Sequence, residues 1–239
     1  MEHIKNVIER YKHVRNMKML QQAYQGKYAF VGIGNHSTNN LYPVLNYLHV
    51  PLKYICCKTP GKLHLIEGVF PHVRATTSLD EVLTDEDIKG VFVSVSSKAH
   101  FSIASRVLAH KKALFIEKPP CLNTEELRRL IELQKQTQVL AMVDLQKRFA
   151  PAMQILKKKL QGSKGTKTYN LKFLTGAYPE GDALLDLFIH PIDCVVYLFG
   201  KAEVRCVEPI DEHTVMLVLK HADACLLYTS PSPRDPKTS

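Results

Sequence analysis

Short apolar runs alternate with amphipathic segments along residues 28–161, and this alternation constrains the fold more than any other feature. The apolar runs have the length of strands, and the segments between them repeat apolar residues at helical spacing. Strands separated by helices in this way predict an α/β fold with a doubly wound parallel sheet. The predicted strands are 28–33, 52–57, a short one near 73–76, 91–95, 113–116 and 139–143, and the predicted helices are 41–48, 61–68, 98–110, 123–137 and 149–161.

The alternation stops at the glycine-containing segment 162–165. Two alternating runs, 168–173 and 214–219, then flank one long helical segment at 182–199, which predicts an incomplete α+β domain with an antiparallel sheet. The predicted organisation is an N-terminal amphipathic helix (1–26), a Rossmann domain (27–148), a partial second domain (149–224) and a tail (225–239). We expect the N-terminal helix to pack on its own domain or to contact another subunit.

The tail resembles the translation of a transposase-end sequencing adapter, which matches the residues Cys225–Asp235. Prolines and serines end the strand pattern there. We therefore expect 225–239 to be non-native and the chain to be C-terminally truncated. The alternative is an ordinary proline-rich tail.

Composition excludes several classes of protein. The formal charge is +9, but the lysines are dispersed, which argues against nucleic acid and suits a phosphorylated cofactor or substrate. No apolar run reaches the roughly 18 residues of a membrane span, and the N-terminus lacks the features of a signal peptide. The six cysteines form no CxxC pair, and no metal-ligand spacing is present, so we expect reduced thiols, a cytoplasmic protein and no metal.

A glycine turn follows the first predicted strand. Gly32 would permit a tight turn, and Gly34 would allow a pyrophosphate to approach the backbone at the start of the next helix. Asn35, His36 and Ser37 continue the turn, with Ser37 at the place of the usual third glycine. The sequence thus predicts a dinucleotide site, and an ordinary strand-to-helix turn is the alternative.

A lysine follows the fourth long apolar run, in the segment Ile116-Glu117-Lys118-Pro119-Pro120. Ligands of doubly wound sheets bind at the carboxyl ends of the strands, where this lysine would lie. Pro119 fixes its own φ and biases Lys118 towards an extended conformation, so its amine would point in a defined direction.

The glycine turn and the Glu-Lys-Pro segment together resemble the Gfo/Idh/MocA oxidoreductases, the family of glucose–fructose oxidoreductase and inositol dehydrogenase. The resemblance covers about 28–222 and implies an NAD(P)-dependent oxidoreductase that is a homo-oligomer at full length. It also implies that Glu117, Lys118, Ser96 and His100 line the cofactor site; for His100 a helix cap is the alternative.

The end of the second predicted strand bears on the choice of cofactor. Family members usually place an acidic residue there, which binds the ribose hydroxyls, whereas this chain has Cys57. Lys58 and Thr59 could instead hold a 2′-phosphate, which favours NADP over NAD. A solvated loop lysine is the alternative for Lys58.

The segment 182–193 carries the second strong motif. Asp186 and His190 are four residues apart, so they would share one helix face in apolar surroundings. The family has a similar Asp-x-x-x-His, although Phe188 replaces its usual glycine. We predict that His190 is the general base or acid, that Asp186 orients it and binds substrate, and that Lys118 polarises the reacting oxygen. Helix packing is the alternative for the pair.

Arg148 matches a basic position of the family and could bind substrate or form a surface salt bridge. The predicted activity is hydride transfer between the nicotinamide and a hydroxyl or carbonyl carbon of a sugar, amino sugar or cyclitol. The alternative is a catalytically silent dinucleotide-binding sensor or interaction subunit.

Overall fold

The computed structural model describes residues 5–6, 9–10, 12–13, 24–163, 165, 167–173, 184–211, 214–222 and 224–231. The chain divides into two compact units, Met1–Asp144 and Leu145–Ser239. Within the predicted N-terminal helix, residues 5–6, 9–10 and 12–13 are helical and exposed. Residues 24–26 are not helical, contrary to the predicted bound, and the other residues of that prediction lie outside the described part.

The first unit contains a six-stranded parallel sheet, as the strand and helix alternation predicts. The strands lie in the order β3-β2-β1-β4-β5-β6, the arrangement of a doubly wound dinucleotide-binding fold. Their bounds are β1 (Lys27–Val31), β2 (Leu52–Cys56), β3 (Arg74–Thr76), β4 (Ile88–Val93), β5 (Ala113–Ile116) and β6 (Ala141–Val143).

Helices cover both faces of this sheet. A π-helical turn, Ser37–Leu41, leads into α1 (Tyr42–Tyr47), and a 3-10 turn, Pro60–Lys62, leads into α2 (Leu63–Val69). The other helices are α3 (Leu79–Thr84), α4 (Ser97–Ala109) and α5 (Thr124–Thr137). Of these only α3 is absent from the sequence prediction.

Successive side chains of β1 pack into two different hydrophobic cores, one on each face of the sheet, because side chains alternate between the two faces of a strand. Ala29 and Val31 pack with one buried cluster, which includes residues of α4 and α5. Phe30 packs with the other, around Tyr42 and Ile55. Burial on both faces explains the near-continuous apolar runs of these strands.

The second unit begins with a 3-10 turn, Gln146–Phe149, and contains α6 (Pro151–Gly162), β7 (Lys167–Lys172), a π-helical turn (Leu184–Phe188), α7 (Ile189–Phe199), β8 (Ala202–Asp211), β9 (Thr214–His221) and β10 (Ala224–Pro231). The predicted helix at 182–199 is thus two segments, and its first two residues lie outside the described part. Val195 on α7 and Leu219 on β9 form the buried centre of this unit.

The second sheet is antiparallel over β8, β9 and β10, as predicted, but its other edge strand, β7, pairs parallel with β10. Its order is β7-β10-β9-β8, and β10 pairs antiparallel with β9 but parallel with β7. The alternation in the sequence reports which residues form strands, but it contains no information on strand neighbours.

The predicted tail also differs in part, because its residues 225–231 belong to β10. The run Cys225–Tyr228 has the composition of a strand and pairs with residues of β9 and β7. That 225–239 is non-native stays a prediction, and residues 232–239 lie outside the described part.

Strand β8 was not predicted, and it forms an edge of the second sheet. Charged residues and Pro209 interrupt its apolar pattern, and Val204, Val207 and Ile210 are exposed. A strand without a buried face lacks the strict alternation that sequence analysis can detect. None of the helices in the described ranges combines the length and apolarity that a membrane crossing requires.

Candidate cofactor and catalytic site

A crevice of about 670 Å³ opens at the carboxyl edge of the first sheet, next to the ends of β1 and β4. The strand order reverses between these two strands, and such a switch point is where doubly wound sheets bind ligands. The lining includes most of the predicted cofactor-binding residues: Gly32, Gly34, Asn35, His36, Ser37, Lys58, Thr59 and Ser96.

Gly32 occupies a position that no other residue fits. Its φ is +111°, and a Cβ there would lie 1.9 Å from the carbonyl oxygen of Ser94. The Gly32 N–H donates to the Cys56 carbonyl at 2.8 Å, and the Ser94 N–H donates to the Val31 carbonyl at 2.9 Å. Glycine is therefore required for β1 and the segment after β4 to approach each other.

Gly34 faces open space, since a Cβ added there meets no protein atom within 4 Å. Ser37, which replaces the third glycine, is buried, and its hydroxyl closes the turn. The Gly34 N–H donates to Ser37 Oγ at 2.9 Å, and Ser37 Oγ donates to the Gly34 carbonyl at 3.0 Å. A side chain thus shapes the turn while space beside the glycine stays open.

Asn35, His36 and Ser37 lie in the first helical turn after Gly34. The N–H groups of a first turn have no acceptor within the helix and bind anions, together with the positive end of the helix dipole. This helix start and the open space at Gly34 fit the pyrophosphate of a dinucleotide.

Tyr42 supports the glycine turn from the core. Its hydroxyl donates to the Gly32 carbonyl at 2.8 Å, and burial raises the pKa of this phenol. The neutral hydroxyl therefore acts as a permanent donor to the backbone of the turn. Tyr42 was not predicted as part of the site, because nothing in a lone helical tyrosine indicates a partner ten residues away.

Basic side chains surround the part of the crevice beyond β2. Cys57 is buried, and its thiol donates to the Thr59 carbonyl at 3.4 Å. Lys58, Thr59 and Lys62 line the crevice, and Lys62 Nζ lies 3.5 Å from the Ile33 carbonyl oxygen. Lys62 was not predicted, although a second lysine four residues after Lys58, beyond a Pro-Gly pair, was a usable signal.

The lysine turn, residues Glu117–Pro120, follows β5 at the same edge of the sheet. Glu117 is buried and Lys118 is partly buried, and the Lys118–Pro119 peptide bond is cis. His36 Nε2 lies 2.8 Å from Glu117 Oε1, so the glycine turn and the lysine turn are in contact. The structure thus brings the two predicted motifs together.

His100 lies on α4 and is fully buried behind this turn. Its Nδ1 donates to the Pro119 carbonyl at 2.6 Å. Burial lowers the pKa of His100, although the bond to Pro119 and the charge of Glu117 act in the opposite direction. A neutral His100 therefore holds the lysine turn, and it is not among the described residues that line the crevice. Its predicted contact with the cofactor stays a prediction.

The second unit contains the predicted catalytic pair. Asp186 lies in the π-helical turn and is partly buried, and His190 is buried in the first turn of α7. The π-helical turn changes the rotation per residue before His190, and such turns are frequent at functional sites. The predicted roles of both residues stay predictions.

Arg148, which is partly exposed, forms an ion pair with the buried Asp193 of α7. Its Nε lies 2.8 and 2.7 Å from the two carboxylate oxygens, and one terminal nitrogen also contacts Asp193. The side chain of Asp193 is 7% exposed. This is the salt bridge that the sequence left open as an alternative, and its carboxylate is buried. Substrate binding by Arg148 stays a prediction.

The family model for oxidoreductases with an NAD-binding Rossmann fold, Gfo/Idh/MocA, matches residues 26–145. The chain belongs to this family.

Relatives of the chain include an uncharacterized oxidoreductase, YhhX, of Escherichia coli, which is 26% identical over 73% of this chain and 54% of its own length. The scyllo-inositol 2-dehydrogenase (NAD(+)) of Bacillus subtilis is 31% identical over 53% of this chain and 40% of its own length. The chain therefore spans about half, or less, of the length of these relatives.

The fold has solved counterparts. The WlbA (WbpB) dehydrogenase of Thermus thermophilus, in complex with NAD and UDP-GlcNAcA, superposes with a TM-score of 0.73 at 20% identity. The match covers 87% of this chain and 74% of the solved one. At this identity the likeness concerns the fold, and it confirms the predicted fold class.

Proposed function

We propose that this Gfo/Idh/MocA chain is part of an NAD(P)-dependent dehydrogenase that acts on a hydroxyl carbon of a cyclitol, sugar or amino sugar. The observation that carries the proposal is the contact between the glycine turn and the lysine turn at the crevice, through His36 and Glu117. The name of the B. subtilis relative supports a cyclitol as one candidate substrate. We also propose a homo-oligomer at full length, located in the cytoplasm.

The nicotinamide cofactor supplies the hydride acceptor when it is bound. We propose that His190 takes the proton from the substrate hydroxyl while the hydride moves from the carbon that bears this hydroxyl to the nicotinamide. In the reverse reaction His190 would return the proton to the oxygen. Asp186 would orient that imidazole and bind substrate. Lys118 would place positive charge where the oxygen develops negative charge.

Turnover with a panel of polyols and sugars tests the activity. The fluorescence of NADPH and NADH changes when these cofactors bind, so it measures binding. The same fluorescence rises or falls as the cofactor is reduced or oxidised after substrate is added, so it also measures turnover. Reduction of NAD(P)⁺ by a cyclitol or sugar is the expected result. Binding without turnover on any substrate would contradict the proposal and favour a silent dinucleotide-binding sensor.

We propose NADP as the preferred cofactor, because Cys57 offers no carboxylate to the ribose hydroxyls and Lys58 and Lys62 line the crevice. Lys58→Ala and Lys62→Ala should each raise the dissociation constant of NADPH about five- to tenfold, since each removes one partner of the 2′-phosphate. The dissociation constant of NADH should change less than about twofold in both variants. Equal losses for the two cofactors would contradict the preference.

A further inference from the structure

The carboxylate of Glu117 connects the glycine turn to the backbone of the catalytic lysine. Its Oε1 lies 2.8 Å from His36 Nε2, and its Oε2 accepts a bond of 3.2 Å from the Lys118 N–H. The Glu117 N–H donates to the Val93 carbonyl at 2.9 Å, which fixes the residue to the sheet. One side chain therefore bridges the cofactor-binding helix and the peptide that carries Lys118.

Asn40 determines which ring nitrogen of His36 carries the proton. Its Nδ2 lies 3.1 Å from the His36 carbonyl oxygen, which can only accept, so this atom is the amide nitrogen. The same nitrogen lies 3.3 Å from His36 Nδ1, which must then be the acceptor of the ring. The ring proton therefore resides on Nε2, from which it is donated to Glu117.

Burial makes this donation important. The side chain of Glu117 is 7% exposed, whereas that of His36 is 53% exposed. A buried carboxylate is costly unless hydrogen-bond donors surround it, and the described part of the chain supplies the His36 ring and the Lys118 N–H as donors to Glu117. Loss of the ring would leave Oε1 without this donor, and the carboxylate would have to turn away from Lys118 to find another.

We propose that His36 is a positioning residue, which holds the peptide of Lys118 in place for hydride transfer through Glu117. The first helical turn then has two uses, because its backbone fits the pyrophosphate while its histidine side chain holds the lysine turn. This inference rests on the proposed function for the role of Lys118, but the hydrogen-bond chain itself can be tested without turnover.

The test compares the 239-residue chain with His36→Ala, His36→Gln and the control His64→Ala. His64 is an exposed residue of α2 that does not belong to the described crevice lining. Glutamine places an amide N–H as many bonds from the backbone as histidine Nε2, so it can donate to Glu117. The rate of hydrogen exchange at the Lys118 amide measures whether the hydrogen bonds from His36 through Glu117 to Lys118 are intact. The kcat with the best substrate of the panel measures whether Lys118 is correctly positioned.

His36→Ala should speed exchange of the Lys118 amide about tenfold and lower kcat about tenfold, with the NADPH dissociation constant within about threefold. His36→Gln should recover most of both losses, and His64→Ala should change neither.

Exchange that is unchanged in His36→Ala would overturn the inference whether or not the protein turns over. Weaker NADPH binding at unchanged kcat would also overturn it, because His36 would then be a cofactor ligand only. Accelerated exchange in a chain without any activity would support the hydrogen-bond chain and contradict the proposed function instead.

Discussion

The glycine turn of the first unit and helix α7 of the second carry the two strongest motifs, and they are built in different ways. At the glycine turn, two backbone segments lie so close that a Cβ on Gly32 would clash with the Ser94 carbonyl, and the conformation of this one residue decides the geometry. At α7, an ion pair between the buried Asp193 and the partly exposed Arg148 attaches the helix to the 3-10 turn Gln146–Phe149. The backbone geometry of the glycine turn is therefore sensitive to substitution at the single position Gly32. The attachment of α7 depends instead on two side chains, those of Asp193 and Arg148.

The largest expected effect is that of Gly32→Ala. The new Cβ would meet the Ser94 carbonyl and force alanine to a φ of +111°, so the free energy of unfolding should fall by at least about 3 kcal/mol. Urea unfolding followed by circular dichroism measures this. Gly61→Ala is the control, because its Cβ meets no atom within 4 Å and its φ is not positive. Similar losses in both variants would contradict the backbone account.

Arg148→Met should have the next largest effect. It leaves Asp193 buried without its cation, and because Arg148 is itself partly exposed we expect a loss of about 2–3 kcal/mol. The double variant Arg148→Met/Asp193→Leu should recover part of that loss, since no unpaired charge then stays buried. A double variant that loses as much as the two single variants together would show that the pair is not coupled.

Tyr42→Phe tests the support of the glycine turn. Loss of the hydroxyl leaves the Gly32 carbonyl without this donor, at an expected cost of about 1 kcal/mol, and should weaken NADPH binding. Tyr47→Phe is the matched control, because Tyr47 is 58% exposed on the same helix. Equal stability of Tyr42→Phe and the control would argue that the backbone alone maintains the turn.

The smallest effect is expected for Lys53→Met, which removes the ion pairs of Lys53 with Asp85 and Asp87 near the start of β2. Hydrogen bonding to Lys53 lowers the pKa of Asp85 to about 2, so this pair stabilises the fold above the ordinary aspartate pKa, and the stabilisation is lost as the pH falls towards 2.

The deficit of Lys53→Met should therefore be the smallest of the four at neutral pH and should fade in acid, because these ion pairs are partly exposed and screened by water. Thermal unfolding between pH 2 and 7 checks this, with the exposed Lys98→Met as control. A deficit that grows in acid would contradict the assignment.

The same contrast explains what the sequence could predict. The first sheet was predictable strand by strand, because its central strands are buried on both faces and helices separate the strands along the chain. The glycine turn was predictable because only glycine satisfies its geometry. The partners of those motifs were not, since the bonds from Asn40 to His36 and from Tyr42 to Gly32 depend on side-chain directions that no spacing rule contains.

The second unit was harder to predict for a related reason. Its edge strand β8 has no buried face, and the parallel pairing of β10 with β7 joins segments that are far apart in the sequence. Asp186 and His190 were identified from their spacing and family resemblance, but the intervening π-helical turn has no recognisable pattern.

The hydroxyl of Ser37 has a consequence for the thermodynamics of cofactor binding. Because it already bonds both the N–H and the carbonyl of Gly34, the turn is held in shape by the protein itself. Binding would then sacrifice little conformational entropy in this loop. A preorganised turn of this kind loses little entropy when the cofactor binds, because its conformation is already fixed in the folded protein.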